Sequence, residues 1–128
     1  MLEKIPGISE AESHVMEVLW RAPAPVVAEQ IVVALQDTHH WQAATVKTLL
    51  NRLLNKGAIA AEKDGRRFLY QAILQRDAWL ARESDSMLQR LFGGRLAPLV
   101  AHFGSQQKLS PADVQELRKL IDKFDDDK

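Results

Sequence analysis

Residues 41–70 read WQAATVKTLLNRLLNKGAIAAEKDGRRFLY, and two different periodicities meet inside them. Over residues 43–56 the apolar positions Val46, Leu49, Leu50, Leu53 and Leu54 recur at three- and four-residue intervals, the spacing of one helix face. At about 100° per residue, Thr45, Thr48 and Arg52 gather on the other side. Gly57 stands just past the last apolar position, where a left-handed residue ends a helix. Next come two short extended runs, 59–63 and 67–72, joined by Asp64-Gly65, a dipeptide suited to the positive φ of a two-residue hairpin turn. A helix with one buried and one displayed face, followed at once by a hairpin with a cationic tip, is the DNA-reading half of a winged helix-turn-helix. The expected fold class is therefore mainly α with a small β-hairpin: a winged helix-turn-helix domain followed by a C-terminal helical dimerisation arm.

Toward the N-terminus, Ser9 and Glu12 have the spacing of a capping box. A first helix is predicted over 10–21, with Ala11, Val15, Val18 and Leu19 on one face and Pro23 and Pro25 closing it. A second is predicted over 26–35, where Val27, Ile31 and Leu35 repeat every four residues, and the polar stretch 36–40 then reads as a turn. Toward the C-terminus, a helix over 76–92 ends at Gly93-Gly94, a short segment covers 98–103, and a last helix opens at Ser110-Pro111. Leu109 is placed to staple onto Val114. In that last helix Val114, Leu117, Ile121 and Phe124 form a seam that a helix of about 15 residues cannot bury alone. The earlier apolar residues are used in the first domain, so the surface expected to cover this seam, together with Leu88 and Leu91, is the same arm of a second copy. The predicted division is a winged-helix DNA-binding domain over 1–73 and a helical dimerisation domain over 74–128.

A chain of 128 residues with 46% apolar content supports one folding unit with an appendage. It contains no cysteine, which removes disulfides, thiolate metal sites and cysteine nucleophiles. The start MLEKIPGISE lacks the apolar core of a signal peptide, and no apolar run approaches the ~20 residues needed to span a bilayer. A cytoplasmic location without direct membrane association is expected. Seventeen basic and seventeen acidic residues cancel, so net charge gives no argument for a nucleic-acid partner. Distribution does: residues 41–70 hold six cations (Lys47, Arg52, Lys56, Lys63, Arg66, Arg67) against Glu62 and Asp64.

A helix that enters the major groove needs short side chains for close approach and a long donor that reaches base edges. Thr45 and Thr48 supply the first and Arg52 the second, while Lys47, Lys63, Arg66 and Arg67 suit the flanking phosphates. A threonine-and-arginine face is by itself an ordinary solvated helix surface; the cationic hairpin beside it is what turns the reading toward DNA. His39 and His40 are adjacent, with no acidic residue at ligand spacing, and read as turn residues rather than a metal site. Trp20 and Trp41 read as core. No triad or paired-carboxylate arrangement stands out, so neither an enzyme nor a cofactor is expected. The competing reading is a winged helix used as a protein-interaction module, without sequence-specific DNA binding.

The blocks ISEAESHVMEVLW, WQAATVKTLLNRLLNKG, EKDGRRFLY, GG, LVAHF and LSPADVQELRKLI, in this order, resemble the penicillinase repressor family, the BlaI/MecI/CopY group of bacterial winged-helix repressors. The resemblance implies a homodimer with intertwined C-terminal helices that represses transcription from a dyad-symmetric DNA operator, as in a β-lactam resistance regulon. It also implies relief through cleavage in the C-terminal arm by a membrane-bound sensor protease. By this resemblance Thr45, Thr48 and Arg52 occupy the base-reading positions, and Lys47, Arg66 and Arg67 the backbone contacts. His102-Phe103 aligns with the Asn-Phe bond that antibiotic-resistance members lose on induction. Three departures stand out: Ala44 in place of a frequent lysine, Gln42 in place of a helix-capping serine, and Ser13 in place of a frequent tryptophan. The cysteine motif of the copper-sensing branch is missing, which excludes copper sensing through thiolates.

Overall fold

Ser9 and Glu12 close the start of the first helix as their spacing predicts. In a computed structural model describing residues 5–127, Ser9 Oγ accepts from the Glu12 N–H at 3.1 Å and Glu12 Oε1 accepts from the Ser9 N–H at 2.7 Å, opening α1 (Glu10–Arg21). Val26 and Val27, expected to begin the second helix, instead form a short strand, β1 (Val26–Val27). The β-branched pair follows Pro25 and suits extended backbone better than a helix start. α2 (Ala28–His39) then runs past the predicted turn. Nothing between Gln36 and His39 breaks a helix, and the His39 ring packs between those of His14 and Trp41, at centroid distances of 4.2 and 4.9 Å. The turn falls at His40, in the left-handed conformation with φ 58°. His39 is thus a helical residue, and His40 alone of the pair lies in the turn.

α3 (Ala43–Lys56) buries Val46, Leu49, Leu50 and Leu53. It ends in a Schellman motif: Gly57 takes φ +77°, its N–H donates to Leu54 O, and the Ala58 N–H donates to Leu53 O. The hairpin follows as β2 (Ile59–Asp64) and β3 (Arg67–Ala72). Asp64 pairs with Arg67 in the ladder, so the two loop residues are Gly65 and Arg66 rather than Asp64 and Gly65. Gly65 alone of the two has positive φ, at +67°, which is the glycine-first form of a two-residue turn. Keeping Asp64 in the strand brings its carboxylate within 3.6 Å of the Arg67 guanidinium. β1 pairs with β3 through Val26–Tyr70 and Val27–Leu69, giving an antiparallel sheet in the order β1-β3-β2 where only the hairpin was expected.

Val15, Met16 and Leu19 of α1, Ile31 and Leu35 of α2, the α3 stripe, and Ala58, Ile59 and Leu74 make one core. Each fully buried leucine or isoleucine contributes about 1.5–3 kcal/mol. Trp20, Trp41 and Trp79 pack half-buried against it. Trp20 Nε1 donates to Leu74 O at 2.8 Å, and its ring lies 5.3 Å from that of Trp79. Helices α1 to α3 with this sheet form a winged helix.

The chain divides into two compact units, one ending at Ala81 and the other beginning at Arg82, so the boundary falls within α4 (Arg76–Phe92). The second unit continues with α5 (Leu96–Ser105) and α6 (Pro111–Asp126). Ser110 and Asp113 form a second capping box, with Pro111 at the first helical position. None of α4, α5 and α6 carries a fully buried residue. Among the described residues no helix is long and apolar enough to cross a membrane.

Among the described residues of the first unit, one charged side chain is buried. Glu12 is 1% exposed, and its Oε1 accepts from Lys56 Nζ at 2.5 Å as well as from the Ser9 N–H. Burial pushes the carboxyl up, but the hydrogen bonds from Lys56 and Ser9 outweigh it and hold Glu12 below its ordinary value of 4.5. A carboxyl depressed in the folded state stabilises the fold above its unfolded value, and that contribution is lost as pH falls through the folded value. Urea unfolding at a series of pH values is expected to show wild type more stable than Glu12→Gln at neutral pH, with the gap closing below about pH 4.5. A gap that stays constant down to acid pH contradicts this.

Candidate nucleic-acid interface

The buried stripe of α3 decides which of its side chains face outward. With Val46, Leu49, Leu50 and Leu53 turned to the core, Thr45, Lys47, Thr48 and Arg52 are all exposed. Thr48 Oγ1 donates to Ala44 O at 3.0 Å. Its hydroxyl proton is used within the helix, and its methyl is the part left to pack on a neighbour. At about 100° per residue, Ala44, Asn51 and Asn55 fall between Lys47 and Thr48, and all three are exposed. Asn51 and Asn55 therefore share the displayed face and were not singled out above. The signal was present in the same wheel, since a carboxamide can bond adenine N6 and N7 together.

The start of α3 is open. Gln42 is its N-cap but makes no side-chain capping bond, so the helix begins without the acceptor that a serine would supply. Ala44 adds no side chain beyond a methyl, and close approach of another surface at this end meets little bulk.

The hairpin carries the other cations. Lys63 stands opposite Phe68 in the ladder, Arg66 is the second loop residue, and Arg67 opens β3. All three are exposed. Arg67 is held by Asp64 at 3.6 Å, whereas Lys47, Arg52, Lys63 and Arg66 meet no acidic side chain among the described residues. Phe68, 49% exposed, is an apolar surface between these cations. Lys56 differs from the other five cations of residues 41–70, because it turns inward to Glu12.

Elsewhere, a groove between α1 and α2 is lined by His14, Glu17, Arg21, Thr38 and His39. Glu17 is engaged by Arg76 at 3.0 Å and by Arg21 at 3.7 Å. No group of three or more His, Cys, Asp or Glu side chains that could hold a metal occurs among the described residues.

In the second unit Leu88, Val114 and Leu117 are half-buried, while Leu91, Ile121 and Phe124 are 61%, 63% and 62% exposed. Leu96 and Leu120, outside the predicted seam, are exposed as well. His102 and Phe103 are exposed in the last turns of α5, where Gln106 N–H and Ser105 Oγ both donate to His102 O.

A helix with this displayed face beside a cationic hairpin has close counterparts. The DNA-binding domain of the repressor BlaI, solved in solution, superimposes with a TM-score of 0.53 at 36% identity, covering 59% of this chain and 90% of that one. The monomeric Bacillus licheniformis BlaI solved in complex with the blaP half-operator gives 0.52 at 36% identity, covering 59% and 92%. Over nearly the full length, the chain is 32% identical to the penicillinase repressor of Bacillus licheniformis across 121 residues, 94% of each chain. It is 29% identical to the methicillin resistance regulatory protein MecI of Staphylococcus aureus (strain N315) across 123 residues, 96% of this chain and 99% of that one. The family model described as penicillinase repressor matches residues 8–123, and the chain belongs to that family.

Proposed function

We propose that this chain is a DNA-binding transcriptional repressor, not an enzyme, that acts as a homodimer on a dyad-symmetric operator, with α3 of each copy in a major groove. The observation that carries the reading is that Thr45, Thr48 and Arg52 are exposed together on α3 and that the hairpin next in the chain carries the exposed cations Lys63, Arg66 and Arg67. The likeness to a BlaI chain in complex with a half-operator supports it. Arg52 reaches guanine O6 and N7, the threonine methyls pack against thymine, and Lys47, Lys63, Arg66 and Arg67 neutralise phosphates and fix register. Two half-sites one helical turn apart, about 34 Å, suit a two-fold dimer.

The second unit supplies the dimer. Its helices bury nothing fully, and Leu91, Ile121 and Phe124 are too exposed for the arm to be stable without a cover. A second copy of the same arm provides a self-complementary apolar partner. Repression ends, in this reading, when a membrane-bound sensor protease cuts His102-Phe103. Both residues are exposed, and the helical bond must first unwind to fit a protease cleft. Likeness to the penicillinase and methicillin-resistance repressors points to β-lactam resistance genes as the targets.

Selection of bound fragments from genomic DNA supplies the operator for quantitative tests. Arg52→Ala is expected to lower the ratio of operator to random-duplex affinity by about tenfold or more, the loss of one bidentate base contact. Arg66→Ala is expected to weaken both duplexes alike and to reduce the slope of log K against log salt by about 0.9. Equal loss of discrimination in both variants, in titrations over a salt series, contradicts the division of roles. Ile121→Asp with Phe124→Asp is expected to give a monomer in sedimentation at micromolar concentration; a dimer that persists places the interface elsewhere.

A further inference from the structure

We propose that the Glu12–Lys56 ion pair is a positioning device for base reading: it holds the C-terminal end of α3 against the start of α1 and so sets the tilt at which Thr45, Thr48 and Arg52 meet the groove. The inference rests on the reading of α3 given under Proposed function and adds residues that do not themselves face DNA.

Three features of the pair carry it. The first is position, because Lys56 is the last residue of α3 and Glu12 lies in the first turn of α1, 44 residues away. The second is direction. The rest of the α3 packing is an apolar stripe, and apolar burial is non-directional, so it resists separation of the helices more than a small tilt. A hydrogen-bonded ion pair has a defined geometry, and Glu12 is itself oriented by the Ser9 capping box.

The third feature is that stability alone does not call for a charged pair here, although removing one partner strands the other. Glu12 Oε2 is buried without a hydrogen-bond partner among the described residues, while Oε1 serves both Lys56 and Ser9. Burying a charge costs solvation, and well-packed neutral side chains of similar volume often stabilise a fold as well or better. What neutral packing cannot supply is a fixed point at one end of the helix. From Lys56 to Thr45 the axial distance is about 16 Å, so a tilt of about 5° about that end moves Thr45 by more than about 1 Å. A displacement of that size is enough to spoil hydrogen-bond geometry at base edges.

The test compares full-length wild type, Glu12→Gln, Glu12→Gln with Lys56→Met, and Arg52→Ala, each on the selected operator and on random duplex. Glu12→Gln keeps the shape and the acceptor for the Ser9 N–H, and the double variant removes both charges. Circular dichroism at the assay temperature establishes that each is folded. Any unfolded fraction scales both affinities equally and cancels in their ratio, so a merely stabilising role leaves the ratio unchanged. The expected result is a ratio lower by about tenfold in Glu12→Gln and in the double variant, with Lys56 still present in the first. Loss in Arg52→Ala but not in Glu12→Gln overturns the pair's positioning role and leaves base reading by α3 standing. Loss in none of the variants overturns both.

Discussion

The burial of one stripe of α3, Val46, Leu49, Leu50 and Leu53, is the constraint from which the rest of the first unit follows. Once those four side chains enter a core shared with α1 and α2, the helix has one rotational setting, and Thr45, Lys47, Thr48 and Arg52 are turned outward together. The Schellman motif at Gly57 then ends the helix and turns the chain into β2, so the hairpin follows α3 directly. The displayed face is in this sense the complement of the core: what the apolar residues do not use is what remains to meet a partner.

The two units use their apolar residues in opposite ways. In the first unit α1, α2 and α3 close over a common centre and leave few large side chains outside. In the second, α4, α5 and α6, the last opened by a capping box, leave three leucines, an isoleucine and two phenylalanines in the open. Helix ends are local and cheap to specify, as the Ser110–Asp113 box illustrates, whereas a core needs facing surfaces. The arm has the first and lacks the second within one copy. The proposed association through the arm and the proposed DNA reading through the winged helix thus fall on different stretches of chain.

Much of the winged helix was legible because its signals are short in range. The Ser9–Glu12 capping box, the stripe of α3, its end at Gly57 and the existence of the hairpin each rest on residues within a turn or two of one another. What escaped depends on partners distant in sequence. Val26 and Val27 have helical spacing with Ile31 and Leu35, but Tyr70 and Leu69 claim them for the sheet. His39 continues α2 because His14 and Trp41 pack on its ring. The hairpin loop shifted by one residue because Asp64 is held in the ladder opposite Arg67. At the interface, the outward setting of Thr45, Thr48 and Arg52 followed from periodicity alone. The inward turn of Lys56 did not, since nothing near it in the sequence announces Glu12 as its partner.

The surface proposed to meet DNA is the α3 face together with the hairpin cations. Chemical-shift mapping of the labelled protein on titration with an operator half-site tests it most directly. The largest amide shifts are expected in residues 43–52 and 63–67, with those lining the α1–α2 groove, such as His14 and Val18, nearly unmoved. Shifts centred on that groove or on the second unit, with Thr45, Thr48 and Arg52 silent, would contradict it.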